Sequence, residues 1–135
     1  MKKTYKVLIL IFILILISAF VLSKVKNLYK VEYSQIIEKY SKEFNIEKEL
    51  IYSIIKNESH FNKEAKSSKN AIGLMQVLET TKNDIEKIVE KENLDLFNEE
   101  DNILVGTKYL SILKTKYGNI ELAITAYNAG PRECR

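Results

Sequence analysis

One stretch of this chain concentrates residues able to do chemistry. Positions 58–76 read ESHFNKEAKSSKNAIGLMQ, opening on a carboxylate and closing on an amide. Glu58 stands three residues after Ile55, four after Ile54 and seven after Ile51, so it continues an apolar stripe at helical intervals. A carboxyl group on a core-facing stripe meets a low dielectric, and burial disfavours its charged form. The negative end of the helix dipole pushes the same way. A carboxyl that holds its proton to higher pH is what a general acid requires. The competing reading is an ordinary glutamate at the wet end of an amphipathic helix, and spacing alone leaves both open. The polar, lysine-rich residues that follow predict an exposed loop, the lip of a cleft beside Glu58.

Other chemistries find little support. His60 is the only histidine and Cys134 the only cysteine. An internal disulfide is therefore impossible, and no histidine–cysteine cluster offers recognisable zinc spacing. There is no glycine-rich phosphate loop and no Ser-His-Asp arrangement, so neither metal nor cofactor is expected. His60 reads as a solvated loop histidine. The net charge of +3 is modest. Much of the lysine flanks an apolar run, so nucleic-acid binding is not indicated.

The elements that must position Glu58 follow from periodicity. Residues 1–6 are basic, and residues 7–25 are almost wholly apolar, close to the ~20 residues that span a bilayer core. An uncleaved transmembrane signal-anchor is favoured over a cleaved signal peptide. The run is longer than a usual signal core, and no small-x-small site precedes Lys24. Residues 26–32 read as a linker and residues 33–135 as one small, mainly α domain. Within it, helical spacing predicts a helix over 33–44 with Tyr33, Ile36, Ile37, Tyr40 and Phe44 inward, ended by Asn45. A second runs over 47–57. A third begins near Thr80 or Thr81 as capping residues, with Ile85, Ile88 and Val89 inward. A fourth spans 99–117, with Ile103, Gly106, Tyr109, Leu110 and Leu113 on or near one face, and Gly118 ends it. A fifth, capped by Asn119, has Ile120, Ala123, Ile124 and Tyr127 inward. Residues 130–135 read as coil.

The motif residues carry a resemblance. Glu58-Ser59-x-Phe61-Asn62, Ser67, Ala71-x-Gly73-Leu74-Met75-Gln76 and Thr81, then Asn102-Ile103-x-x-Gly106-x-x-Tyr109-Leu110, then Ala126-Tyr127-Asn128-Ala129-Gly130, occur in order. Together they resemble the soluble-lytic-transglycosylase-like family, the family 1 lytic transglycosylases, over roughly residues 34–131. The resemblance implies a lysozyme-like fold, with at most a minimal hairpin around residues 71–76. It implies a monomer that acts on peptidoglycan glycan strands without a cofactor, its domain facing the cell wall from a single-pass membrane anchor. Secretion after signal cleavage is the alternative.

The resemblance also implies roles. Hydrolytic glycosidases usually pair two carboxylates, yet Glu64, Glu79, Asp84 and Asp101 match no second catalytic position of the family. Glu58 would protonate the glycosidic oxygen between N-acetylmuramic acid and N-acetylglucosamine. The substrate's acetamido group would stabilise the anomeric carbon. The Glu58 carboxylate would then take the muramoyl 6-hydroxyl proton as that oxygen closes a 1,6-anhydro ring. Ser67 and Gln76 would bind the sugar, Tyr127 would orient Glu58 and the acetamido group, and Asn128 would support the site. Met75 would pack beneath the cleft or against the sugar. Ser59, Phe61 and Gly73 would shape the loop. The chain departs from the family at Lys63 and Glu79, where proline is common, and at Leu78, where methionine is. It also stops soon after the Tyr127 block, so the domain reads as C-terminally truncated and of reduced stability. A lysozyme-type muramidase, or a truncated non-catalytic glycan-binding protein, are the other functions this sequence admits.

Overall fold

The computed structural model describes residues 2–28 and 33–130, and in the first segment the side chains of Tyr5, residues 7–9 and residues 11–22. The chain divides into two units, Met1–Glu32 and Tyr33–Arg135. The first is one helix, α1, Lys2–Leu28. Residues 26–28 continue that helix rather than starting a linker, and the rest of the expected linker lies outside the described residues. Its described side chains, Tyr5, residues 7–9 and residues 11–22, are all exposed, and of these only Ser18 and the Tyr5 hydroxyl are polar. Among the described residues no helix is long and apolar enough to cross a membrane.

The second unit is mainly α: α2 (Ser34–Phe44), α3 (Lys48–Ser59), α4 (Glu79–Val89), α5 (Glu99–Tyr117) and α6 (Ile120–Ala129). Left-handed residues end α2 to α5 at Asn45, His60, Glu90 and Gly118. Asn98 and Asn119 cap α5 and α6, each side-chain oxygen accepting two backbone N–H groups. Three expectations shift. Tyr33 precedes α2 in a left-handed conformation. α4 starts at Glu79 after Leu78, with no side-chain cap from Thr80 or Thr81. Ile88 is exposed rather than inward, because Ile85 and Val89 already fill the face that α4 turns to the core.

The organising element is α5, which packs against α2, α4 and α6. It is buried continuously from Asn102 to Thr107, wider than the single face that the periodicity predicts. A helix covered on several sides needs no polar stripe. Ile37, Tyr40, Ile51, Ile55, Leu74, Met75, Ile85, Ile103, Leu110 and Ala123 form the core around it. The expected hairpin is reduced to two antiparallel bridges, Lys66 with Ile72 and Ile72 with Val77.

Candidate active site

Glu58 lies in the last turn of α3, which runs two residues past the end that the sequence predicts. The chain then turns sharply. His60 and Phe61 are both left-handed, at φ 53° and 64°. The strain is held by packing: Phe61 tilts against Tyr52 with ring centroids 6.4 Å apart, and Ser59 donates to Ile55 O at 3.1 Å. His60 is exposed, as expected of a loop histidine. Glu58 itself is half-buried. Burial raises its carboxyl above the ordinary glutamate value, and no cation or hydrogen bond opposes the shift.

The floor of the site is the turn at residues 73–76, and α5 holds it by two residues on one face, four apart. Asn102 is fully buried. Its Oδ1 accepts from Met75 N–H at 2.8 Å, and its Nδ2 donates to Ile72 O at 2.9 Å and Leu96 O at 2.8 Å. Gly106 meets the Met75 side chain, where a Cβ would stand 2.5 Å from Sδ. Gly73, at φ +78°, is required twice over: by its backbone, and because a Cβ would fall 2.2 Å from the Asn102 amide nitrogen. Met75 is thereby sealed in the core, so its side chain packs beneath the cleft and does not line it.

The turn delivers Gln76, left-handed at φ 48°. Its Nε2 donates to Ala65 O at 3.2 Å and Gly73 O at 3.0 Å. Two carbonyls fix the amide's orientation and leave its oxygen as the group the cleft can use. Ser67 is the converse. Its Oγ accepts from Ala71 N–H at 3.0 Å and Lys69 N–H at 3.3 Å, which leaves its hydroxyl proton to donate.

α6 supplies the opposite wall. Tyr127 is buried, and its hydroxyl donates to Met75 O at 2.8 Å. Its single proton therefore goes to the floor and not to Glu58. Burial first, and then the charge of Glu58, pushes the Tyr127 phenol well above its usual range. Tyr109 of α5 tilts against it with centroids 5.5 Å apart.

These residues enclose a cleft of about 550 Å³ lined by Glu58, Ser67, Gln76, Tyr127 and Asn128, together with Lys69, Thr81, Leu78 and Tyr109. Five of the six expected site residues thus share one cleft, and Glu58 is the only carboxylate among its described lining residues. Sequence reasoning missed Tyr109, Thr81 and Lys69 as lining residues. Tyr109 and Thr81 stood in the motif blocks, and their polar ends on otherwise inward faces were the signal available. Lys69 gave none. Among the described residues no acidic or histidine cluster could hold a metal ion. A wider depression beside α4, lined by Asn83, Glu86, Lys87, Glu90, Lys91 and Glu92, is open, and its one half-buried acid is Glu86. There Glu86 is engaged as acceptor for Leu94 N–H at 2.8 Å.

Comparison with known proteins agrees with this geometry. The model of the family described as "Transglycosylase SLT domain" matches residues 35–135. A membrane-bound lytic murein transglycosylase C of Pectobacterium atrosepticum is 40% identical over 112 residues, covering 73% of this chain and 31% of that protein. Its namesake in Yersinia pestis is 38% identical over the same shares. The chain thus spans about a third of the length of these curated relatives. The 70-kDa soluble lytic transglycosylase of Escherichia coli superposes with a TM-score of 0.71 at 29% identity, over 78% of this chain and 18% of that one. An inactive mutant of lytic transglycosylase Slt from Pseudomonas aeruginosa gives 0.71 at 28%, over 76% and 17%.

Proposed function

The chain belongs to the transglycosylase SLT domain family, and from that membership we propose that it is a peptidoglycan lytic transglycosylase. The observation that carries the reading is a half-buried Glu58, its pKa raised by burial, as the lone carboxylate among the described residues of a cleft. A single acid suits a reaction in which it serves twice. Protonated Glu58 gives its proton to the oxygen between N-acetylmuramic acid and N-acetylglucosamine, and the bond to the anomeric carbon breaks. The substrate's acetamido group stabilises the positive carbon. The Glu58 carboxylate then removes the 6-hydroxyl proton of the same muramoyl ring, and that oxygen closes onto the anomeric carbon. Glu58 ends protonated again, and the product carries a 1,6-anhydro end. An internal nucleophile has an effective concentration of about 10⁵–10⁸ M, so water and a second carboxylate are dispensable.

The supporting residues take complementary parts. Ser67 donates to the sugar and Gln76 accepts from it, each locked by its bonds to the loop backbone. Tyr127 buttresses Glu58 by excluding water and by presenting its hydroxyl oxygen, since its proton is engaged at Met75. Asn128, exposed at the cleft edge, supports a neighbouring sugar. Mass spectrometry of muropeptides from digested sacculi tests the reaction. Anhydromuramoyl ends are expected, and reducing ends in their place would select a muramidase instead.

We also infer that residues 7–25 anchor the domain in the membrane with the N-terminus inside and residues 33–135 facing the wall. The apolar sequence and the "membrane-bound" name of the curated relatives support this. The protein should stay with membranes through alkaline extraction; its release would refute the anchor.

A further inference from the structure

The lip of the cleft carries three lysines, and they differ in what they face. Lys63 is paired with Glu99 at 2.7 Å. Lys66 sits on the bridge to Ile72 and is no part of the cleft lining. Lys69 alone lines the cleft, and it is the only cation among the described residues that do. Its position is not left to a loose loop. Ser67, a sugar-facing residue, accepts the Lys69 N–H with its own Oγ, and Asn70 N–H closes the turn on Ser67 O at 3.0 Å. Asn70 takes the left-handed conformation that this turn needs, at φ 62°. No ion pair among the described residues engages the Lys69 ammonium. Lys69 is exposed, so its ammonium is hydrated in the free protein and open to an anion that arrives with the substrate, while its backbone is held beside a sugar-binding hydroxyl.

A glycan strand in this cleft offers one kind of anion close to its sugars. Each muramoyl ring bears a lactyl ether that ends in a carboxyl group. In intact wall that group is amide-linked to a peptide stem, which has carboxylates of its own. We propose that Lys69 is a specificity-determining residue that recognises a carboxylate on this lactyl branch. The proposal deepens the reading of the cleft as a peptidoglycan site and rests on it. It adds a preference among strands, set by the charge state of the substituent and not by the sugars.

The test is binding, so that it stands apart from catalysis. The full chain carrying Glu58→Gln, in mild detergent, is titrated with three soluble glycan fragments. One carries stems, one is stripped of stems by an amidase so that its lactyl carboxylates are free, and one carries stems with every carboxylate capped as an amide. Adding Lys69→Ala should weaken binding of the stem-bearing fragment about two- to five-fold, the size of an exposed ion pair. The capped fragment should bind both proteins equally, Lys69→Arg should restore the affinity, and the loss should shrink as salt rises. A loss on the stem-bearing fragment alone assigns the stem carboxylate, a loss on the stripped fragment alone assigns the lactyl carboxylate, and a loss on both shows that Lys69 accepts either. An equal loss on all three, or no loss on any, overturns the proposal. Should the unmutated chain yield no anhydro ends while the dependence on Lys69 persists, the lyase reading falls and the carboxylate site stands.

Discussion

The floor of the cleft and its lip come from the same stretch of sequence and are held by opposite means. The floor, residues 72–77, is almost entirely buried, and one amide side chain, Asn102, satisfies three of its surrounding backbone groups. The lip, residues 62–70, is mostly exposed. Its inner edge is bonded to the floor, Ala65 O accepting from Gly73 N–H at 2.8 Å and Gln76 Nε2 at 3.2 Å, but the rest is held by short turns, such as Asn62 Oδ1 accepting Glu64 N–H at 3.0 Å, and by one ion pair to α5. The difference separates fixed positions from variable ones. A residue whose backbone is clamped, such as Gln76, can present an oxygen at a fixed place. A lip tied by a few local bonds tolerates changes such as Lys63 for the family's common proline, and it leaves room for specificity at Lys69.

The largest effect expected lies at neither region but at the acid between them. Glu58→Gln should lower the cleavage rate by about 10²–10⁴-fold, the usual contribution of a general acid, with the fold retained. The stability change has the opposite sign. The folded state holds the Glu58 proton more tightly than the unfolded chain, since burial raises its pKa. Stability is therefore lost as pH rises from the ordinary glutamate value through the raised one. Glu58→Gln should melt at or above the parent at pH 7 and match it at pH 4. Activity of the parent should fall as pH rises through the same raised value. A variant that is slower but destabilised at pH 7 would mean that Glu58 supports the fold.

Next in size comes the clamp. Asn102→Ala would leave Met75 N–H and Leu96 O buried without partners, at about 1–3 kcal/mol each, and take one of two donors from Ile72 O, which keeps Val77 N–H at 3.0 Å. A loss of about 3 kcal/mol or more is expected in denaturant unfolding. Asn102→Asp should do no better, because it sets a carboxylate oxygen against two carbonyls. If either variant unfolds like the parent, the floor is not held from α5 as described.

The sequence made some of this legible. Two of the helix ends, at Asn45 and Gly118, and the start of α6 at Asn119 fell where the sequence showed a residue suited to them. The stripe of Ile51, Ile54 and Ile55 did lead to Glu58. What stayed hidden depends on contacts between distant segments. Asn102 reads as a polar intrusion in a helix, and only the fold shows that it replaces backbone pairing for a turn 27 positions earlier. Ile88 has inward spacing, yet α4 packs by one narrow face. Tyr127 has inward spacing and is buried, but the destination of its proton depends on where Met75 O lies.

Gly106→Ala probes the floor more gently. The added Cβ would stand 2.5 Å from Met75 Sδ and 2.8 Å from its Cβ, so the turn must yield as well as the side-chain tip. Overpacking of this kind costs about 1–3 kcal/mol. Pairing it with Met75→Ala should relieve that cost, so the double variant should be more stable than the two single losses sum to. Strict additivity would mean that Gly106 and Met75 do not share the constraint.

The smallest effect separates the lip from the floor. Lys63 and Glu99 are paired at 2.7 Å, but their side chains remain 45% and 29% exposed, so solvent screens the pair and it contributes little. The two groups agree on the interaction: Glu99 raises the Lys63 ammonium, and Lys63 lowers the Glu99 carboxyl. Lys63→Ala should thus lower the melting temperature slightly at low salt and not at all in 0.5 M salt, roughly, where the Debye length is a few ångströms. Lys63→Pro loses the same pair, yet the Lys63 N–H makes no backbone hydrogen bond for proline to forfeit. Proline also reduces the freedom of the unfolded chain, worth about 0.4–1 kcal/mol where the backbone accepts it. The proline variant should therefore be at least as stable as the parent, while the alanine variant is slightly less so. Both melting alike, well below the parent at every salt concentration, would show that the lip is fastened as firmly as the floor and that the contrast between them is false.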